Sequence, residues 1–188
     1  STSTAMVGRA MSFDGVDDWV GIPNNISALD NATQLTISSW IYSSGSDTNG
    51  GVFAKIQDGN WGNDILIGHD AGQFLIQINN GGDGTAYIPD SGFANNWVNL
   101  VVVFNGTQSG NSNRLKVYKN GVNQTPDFGS WTVPSVTANM AGFTQYIGRY
   151  RANSYWSYTG LIDEVKLWNY ARTAEQIKQD YDRGLRGS

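Results

Sequence analysis

The chain has 188 residues, 39% of them hydrophobic, with no cysteine, a single histidine and a net charge of −4. That length suits one domain with one core, and the lack of thiols excludes disulfides, thiol catalysis and thiolate metal sites. The 12 basic residues are scattered among 16 acidic ones, which argues against a nucleic-acid partner, and no apolar run is long enough to span a membrane.

With 23 Gly and only 4 Pro, turn formers recur along the chain, as many short strands joined by tight loops require. Residues 1–6 are expected to be a linker and residues 7–186 the folded domain, a module of a longer protein. Apolar-polar alternation predicts strands near Ala10–Phe13, Trp19–Ile22, Gln34–Tyr42, Gly51–Ile56, Asp64–Gly68 and Gln73–Ile78. It continues near Thr85–Ile88, Trp97–Asn105, Arg114–Lys119, Phe143–Ile147 and Tyr158–Trp168. Asn120-Gly121 reads as a type I′ hairpin turn. One helix is predicted, at the C-terminus: Thr173 caps it, Gln176 completes a capping box, Ile177 and Tyr181 form its apolar stripe, and Gly184 is expected to stop it. Four Asn-x-Ser/Thr sequons, at Asn25, Asn31, Asn105 and Asn123, are carried without functional weight.

Two blocks at opposite ends, Phe13-Asp14-Gly15-Val16-Asp17-Asp18-Trp19-Val20 and Gly160-Leu161-Ile162-Asp163-Glu164-Val165-Lys166-Leu167-Trp168, carry acidic residues where strand meets loop. Together with Leu35-Thr36-Ile37-Ser38-Ser39-Trp40-Ile41, Trp97 through Phe104, Val117-Tyr118-Lys119-Asn120-Gly121 and Ile147-Gly148-Arg149, they resemble the laminin G-like branch of the concanavalin A-like lectin and glucanase superfamily. The resemblance implies an all-β, two-sheet antiparallel jelly-roll sandwich with one short C-terminal helix and with the first and last strands side by side. It also implies glycan or protein binding, and a structural calcium where the final strand's aspartate, Asp163, meets the N-terminal strand.

The acidic residues support that expectation chemically, since hard carboxylate oxygens are what Ca²⁺ takes; Asp14, Asp18 and Asp163 are the expected ligands. The bland alternative is that Asp14 and Asp17 only form Asx-type turns around Gly15. Catalysis is not expected. Retaining glycosidases of the superfamily place two Glu on one strand as Glu-x-Asp-x-Glu, whereas this chain has only Glu164 and Glu175. His69 reads as an exposed or hydrogen-bonded turn residue, with no nucleophile elbow near it.

Aromatic residues carry the remaining signal. Trp19, Trp40, Trp97 and Trp168 sit in strands and are expected to be structural. Trp61, Trp131 and Trp156 sit in polar loops, where an aromatic platform rimmed by amides and arginine suits a sugar's C–H face and hydroxyl fringe. The expected ligand-binding residues are Trp61, Asn63, Arg151, Asn153, Tyr155 and Trp156, unless these rings fold back to cap the sandwich. The resulting expectation is a non-catalytic, monomeric carbohydrate-binding module of a secreted or cell-surface multidomain protein. Its partners would be a glycan or polysaccharide and the other domains of its parent chain. A protein-protein adhesion or spacer module is the alternative.

Overall fold

The computed structural model describes residues 2–4, 9–23, 25–45, 49–56, 62–82, 84–151 and 156–186. The strands are β1 (Thr2–Thr4), β2 (Arg9–Asp14), β3 (Val20–Ile22), β4 (Gln34–Ser43), β5 (Asn49–Ile56), β6 (Ile65–Asp70) and β7 (Gln73–Ile78). They continue as β8 (Thr85–Pro89), β9 (Trp97–Asn105), β10 (Leu115–Lys119), β11 (Val122–Asn123), β12 (Thr144–Ile147) and β13 (Thr159–Trp168). A short helix, α1, spans Asn111–Arg114, and the C-terminal helix, α2, spans Ala174–Arg186.

The strands form an antiparallel jelly-roll sandwich of a seven-stranded sheet, β1-β2-β13-β4-β9-β10-β11, and a six-stranded sheet, β3-β12-β5-β6-β7-β8. As expected, the terminal blocks are neighbours, with β13 pairing β2 from Thr159↔Asp14 to Ile162↔Met11. Thr2–Thr4, read from sequence as linker, instead pairs with β2 and extends the sheet. Asn120 and Gly121 take φ of 53° and 74°, the left-handed pair that the β10–β11 hairpin needs.

Inward residues follow the alternation that the sequence shows. Leu35, Ile37 and Ile41 of β4 and Val98, Leu100, Val102 and Phe104 of β9 meet Ile65 and Ile67 of β6 and Phe74, Ile76 and Ile78 of β7 in one core. His69 continues the inward row of Ile65 and Ile67, so it is not a turn residue at the surface: it is 2% exposed. Its ring packs 4.7 Å from Phe74 and 5.8 Å from Phe93, with Nδ1 3.2 Å from the Asp90 carboxylate.

The outer face of the seven-stranded sheet is covered by α2. Val101, Val103, Tyr118 and Ile177 form a small cluster there, and Trp40 stacks on Tyr181 at 5.6 Å. The predicted capping box closes the helix start, with Thr173 N–H donating to Gln176 Oε1 (3.0 Å) and Gln176 N–H to Thr173 Oγ1 (3.3 Å). Gly184 does not end the helix. A Cβ there would stand 2.7 Å from Trp40 Cζ2, so close approach of helix to sheet selects glycine despite its cost of about 1 kcal/mol in a helix. Trp168, expected to be structural, lies half-buried on this outer face under the Arg172 guanidinium, 4.4 Å from its ring.

At one end of the sandwich, Lys55 is fully buried on β5 and reaches the segment before β4. Its ammonium pairs with Asp30 at 2.5 Å and donates to Asn25 Oδ1 (2.7 Å) and to the Ile26 carbonyl (3.1 Å). Buried cations survive only with such complete pairing.

Candidate functional site: an aromatic ledge on the six-stranded sheet

Among the described residues no helix covers the outer face of the six-stranded sheet. Alternation that sends Ile65 and Ile67, Phe74 and Ile76, and Ala86 and Ile88 inward sends Leu66, Leu75 and Tyr87 outward, where Ala54, Ile56, Tyr146 and Tyr150 join them in a second apolar cluster. Along the sheet, the rings fall into three groups. At the β3 edge Trp19 is 46% exposed and packs edge-on to Tyr146 at 5.3 Å. In the middle Tyr150 meets Trp156 edge-on at 4.8 Å, with the Arg151 guanidinium 5.4 Å from the Tyr150 ring. At the β8 edge Tyr87 and Trp131 are 5.8 Å apart. Five strand spacings separate β3 from β8, about 24 Å, so the ledge is an extended strip.

The middle group comes from residues 148–151 and 156–158, which lie against the sheet. Trp156 O accepts the N–H of Gly51 (3.3 Å) and of Tyr150 (3.1 Å), and Arg149 bridges to Ser157. Glycine at position 51 permits this approach, since a Cβ there would lie 2.5 Å from the Arg149 carbonyl carbon. Tyr150 is 3% exposed, and its hydroxyl donates to Gln77 Oε1 at 3.1 Å. Burial, helped by the Asp64 charge, pushes this phenol well above the ordinary tyrosine value, so it stays neutral and a donor. Gln77 Nε2 in turn donates to Thr85 Oγ1 (3.1 Å) and Tyr87 Oη to Asp70 Oδ2 (3.3 Å), leaving a chain of amide, hydroxyl and carboxylate groups between the rings.

Of the ligand residues expected from sequence, Arg151 and Trp156 lie together at the middle of the ledge. Asn63 sits at its margin beside Asp64, its side-chain oxygen accepting the Gly81 N–H at 2.9 Å. Trp61, Asn153 and Tyr155 lie outside the described residues. Sequence reading missed Trp19, Tyr87 and Tyr146, and it placed Trp19 among structural rings. The signal was present: with Val20 and Ile22 turned to the core, Trp19 and Gly21 must face out, and the indole lies over Gly21, where a Cβ would meet it at 2.5 Å. Tyr158, near the predicted loop, is fully buried in the core.

The acidic residues separate. The carboxylate oxygens of Asp14, Asp17 and Asp18 come within 4.8 Å of one another, all exposed. Asp163 does not join them: it lies four residues along β13 from Thr159, the partner of Asp14, hence about 13 Å away. A bulge with Glu164 at φ 52° follows it, and Asp163 Oδ1 accepts the Glu164 N–H at 2.8 Å. The turn also uses its carboxylates locally, as Asp14 Oδ1 accepts the Val16 N–H (2.8 Å) and Asp18 Oδ2 the Asp14 N–H (3.2 Å). The Val16 amide holds the Asp14 carboxyl below its usual value of 3.8, so the turn's contribution is present above that pH and is lost as pH falls through the depressed value. One oxygen from each of the three carboxylates lies within 4.8 Å of the others, a spread that fits one hard cation, whose shell is about 5 Å across.

The two glutamates lie away from the ledge. Glu164 pairs with Lys166 on the outer face of the seven-stranded sheet, and Glu175 sits in the first turn of α2. On the ledge strand β6, Asp64 and Asp70 flank opposite ends, about 20 Å apart, beyond the roughly 5–9.5 Å of glycosidase carboxylate pairs.

No curated protein sequence matches the chain. Among solved structures, a mutant of the NanB sialidase from Streptococcus pneumoniae matches with TM-score 0.69 and 16% identity over 91% of this chain, which spans 27% of the sialidase chain. The SAP-like pentraxin of Limulus polyphemus matches with TM-score 0.63 and 18% identity, over 94% of this chain and 82% of that one. Domain 4 of the extracellular arabinanase AbnA from Geobacillus stearothermophilus, solved in complex with arabinotriose, matches with TM-score 0.59 and 22% identity, over 95% of this chain and 79% of that one. At such identities the likenesses show a shared fold. A laminin G-like family model described as the concanavalin A-like lectin/glucanases superfamily matches residues 14–178. With that match over most of its length and the paired terminal strands of its two-sheet jelly roll, the chain belongs to the laminin G-like branch of the concanavalin A-like superfamily.

Proposed function

We propose that the domain is a non-catalytic carbohydrate-binding module of an extracellular multidomain protein, and that it binds an oligosaccharide along the ledge. The observation that carries this reading is the placement of half-buried and exposed rings, Trp19, Tyr87, Trp131 and Trp156, on a sheet face outside the core between the sheets. Such rings offer flat apolar surface to sugar C–H faces, while Arg151, Gln77 and Asp70 supply donors and acceptors between them. An arabinanase domain of the same fold, solved with arabinotriose, supports the ligand class. Among the described residues no helix is long and apolar enough to cross a membrane. A glycan array probed with the purified domain tests the reading: selective retention of oligosaccharides is expected, and retention of none would contradict it.

The same proposal includes a structural Ca²⁺ held by Asp14, Asp17 and Asp18. Bound only by the folded state, it would tie the β2–β3 turn together and stabilise by about 2.7 kcal/mol at a hundredfold excess over its dissociation constant. Thermal scans of metal-stripped protein should show a melting temperature that rises with added calcium. The rise should vanish in Asp14→Asn/Asp18→Asn, and identical curves for the metal-free and calcium-loaded parent would remove calcium from the proposal.

A further inference from the structure

A cleft on the opposite side of the molecule, between β13 and α2, encloses about 360 Å³ and is walled by Trp40 and Trp168. That volume lies within the range of small-molecule pockets. Trp40 projects outward from β4 and is 5% exposed, and its indole N–H, open to the cleft, makes no hydrogen bond to a described residue. The same edge of the ring borders Gly184, where a Cβ would stand 3.0 Å from Nε1 and crowd that donor. Trp168 gives one face to Arg172 and, half-buried, forms the opposite wall.

The rim is charged but balanced. Glu164 pairs with Lys166, and Asp180 pairs with Arg172 at 2.5 Å and with Arg183 at 3.8 Å. A strongly charged ligand would have to break these pairs. A hydroxyl would not, because it accepts from the indole N–H and donates to a paired carboxylate at once. An unmatched indole donor at the base, an aromatic wall and a fringe of matched charges together suit a neutral polyol ring with an apolar face.

We propose that this cleft is a second saccharide site, taking one neutral sugar ring, with Trp40 Nε1–H donating to a ring hydroxyl and Trp168 packing on the ring's C–H face. It is independent of the ledge, since the two lie on outer faces of different sheets. The test is indole ¹H–¹⁵N spectroscopy of the intact protein titrated with D-glucose, D-galactose and N-acetyl-D-glucosamine at up to tens of millimolar. The Trp40 signal is assigned by its loss in Trp40→Phe, and the Trp131 and Trp156 signals report the ledge separately. A saturable shift of the Trp40 signal with at least one sugar is expected, weakened roughly tenfold in Trp168→Ala as for loss of a packing ring. Glu164→Gln, which keeps both rings, should also weaken it and serves if Trp168→Ala unfolds. A Trp40 signal unmoved by all three sugars, or a shift that persists at unchanged affinity in the folded variants, overturns the cleft whatever the ledge signals do.

Discussion

Replacing Asp30 by alanine is expected to destabilise the domain by about 3–5 kcal/mol, because it leaves the Lys55 ammonium buried without its counter-charge. Lys55 is fully buried, and its two other acceptors, Asn25 Oδ1 and the Ile26 carbonyl, are neutral and cannot replace the carboxylate. Urea denaturation measures the loss. Combining Asp30→Ala with Lys55→Met should restore most of it, since a methionine fills similar volume without a charge to desolvate. A single variant as stable as the parent would show that the ammonium escapes to water and that the pair does not anchor the segment before β4.

Gly51→Ala is expected to damage the ledge more than the fold. One added methyl would lie 2.5 Å from the Arg149 carbonyl carbon and 2.6 Å from the Tyr150 nitrogen, both backbone atoms, so the backbone at Arg149 and Tyr150 must lift off the sheet. Overpacking of this kind costs about 1–3 kcal/mol of stability. Lifting the segment also displaces Tyr150, Arg151 and Trp156 together, so glycan affinity should fall by roughly two orders of magnitude if each displaced contact is worth about 1 kcal/mol or more. Thermal melts and calorimetric titration of the same sample separate the effects. Parental affinity in this variant would mean that the middle of the ledge does not hold the ligand.

The strands were legible because their inward rows are mostly apolar, from Leu35, Ile37 and Ile41 on β4 to Phe74, Ile76 and Ile78 on β7. The same parity placed His69 inward and Trp19 and Tyr87 outward, but it gives the right side only when read through turn-like residues such as Gly68 and Gly21. The bulge in β13 was also written in the sequence, as inward Ile162 is followed by inward Val165 and Leu167 in odd rather than even step. What local pattern could not supply is contact at long range. Packing of Arg149, Tyr150 and Trp156 on Gly51, the pairing of Lys55 with Asp30, and the offset that keeps Asp163 from Asp14 all depend on how distant segments register. Of the acidic residues named from sequence, Asp14 and Asp18 therefore lie together with Asp17 beside them, and Asp163 lies apart.

The most direct test of the ledge is calorimetric titration of the tightest glycan from the array against the parent and against Trp131→Ala/Trp156→Ala, with circular dichroism confirming the fold. Each ledge ring removed should cost about 1–3 kcal/mol of binding, so the double variant, still folded, is expected to bind at least tenfold more weakly. A folded double variant that binds like the parent would contradict a glycan site on the six-stranded sheet.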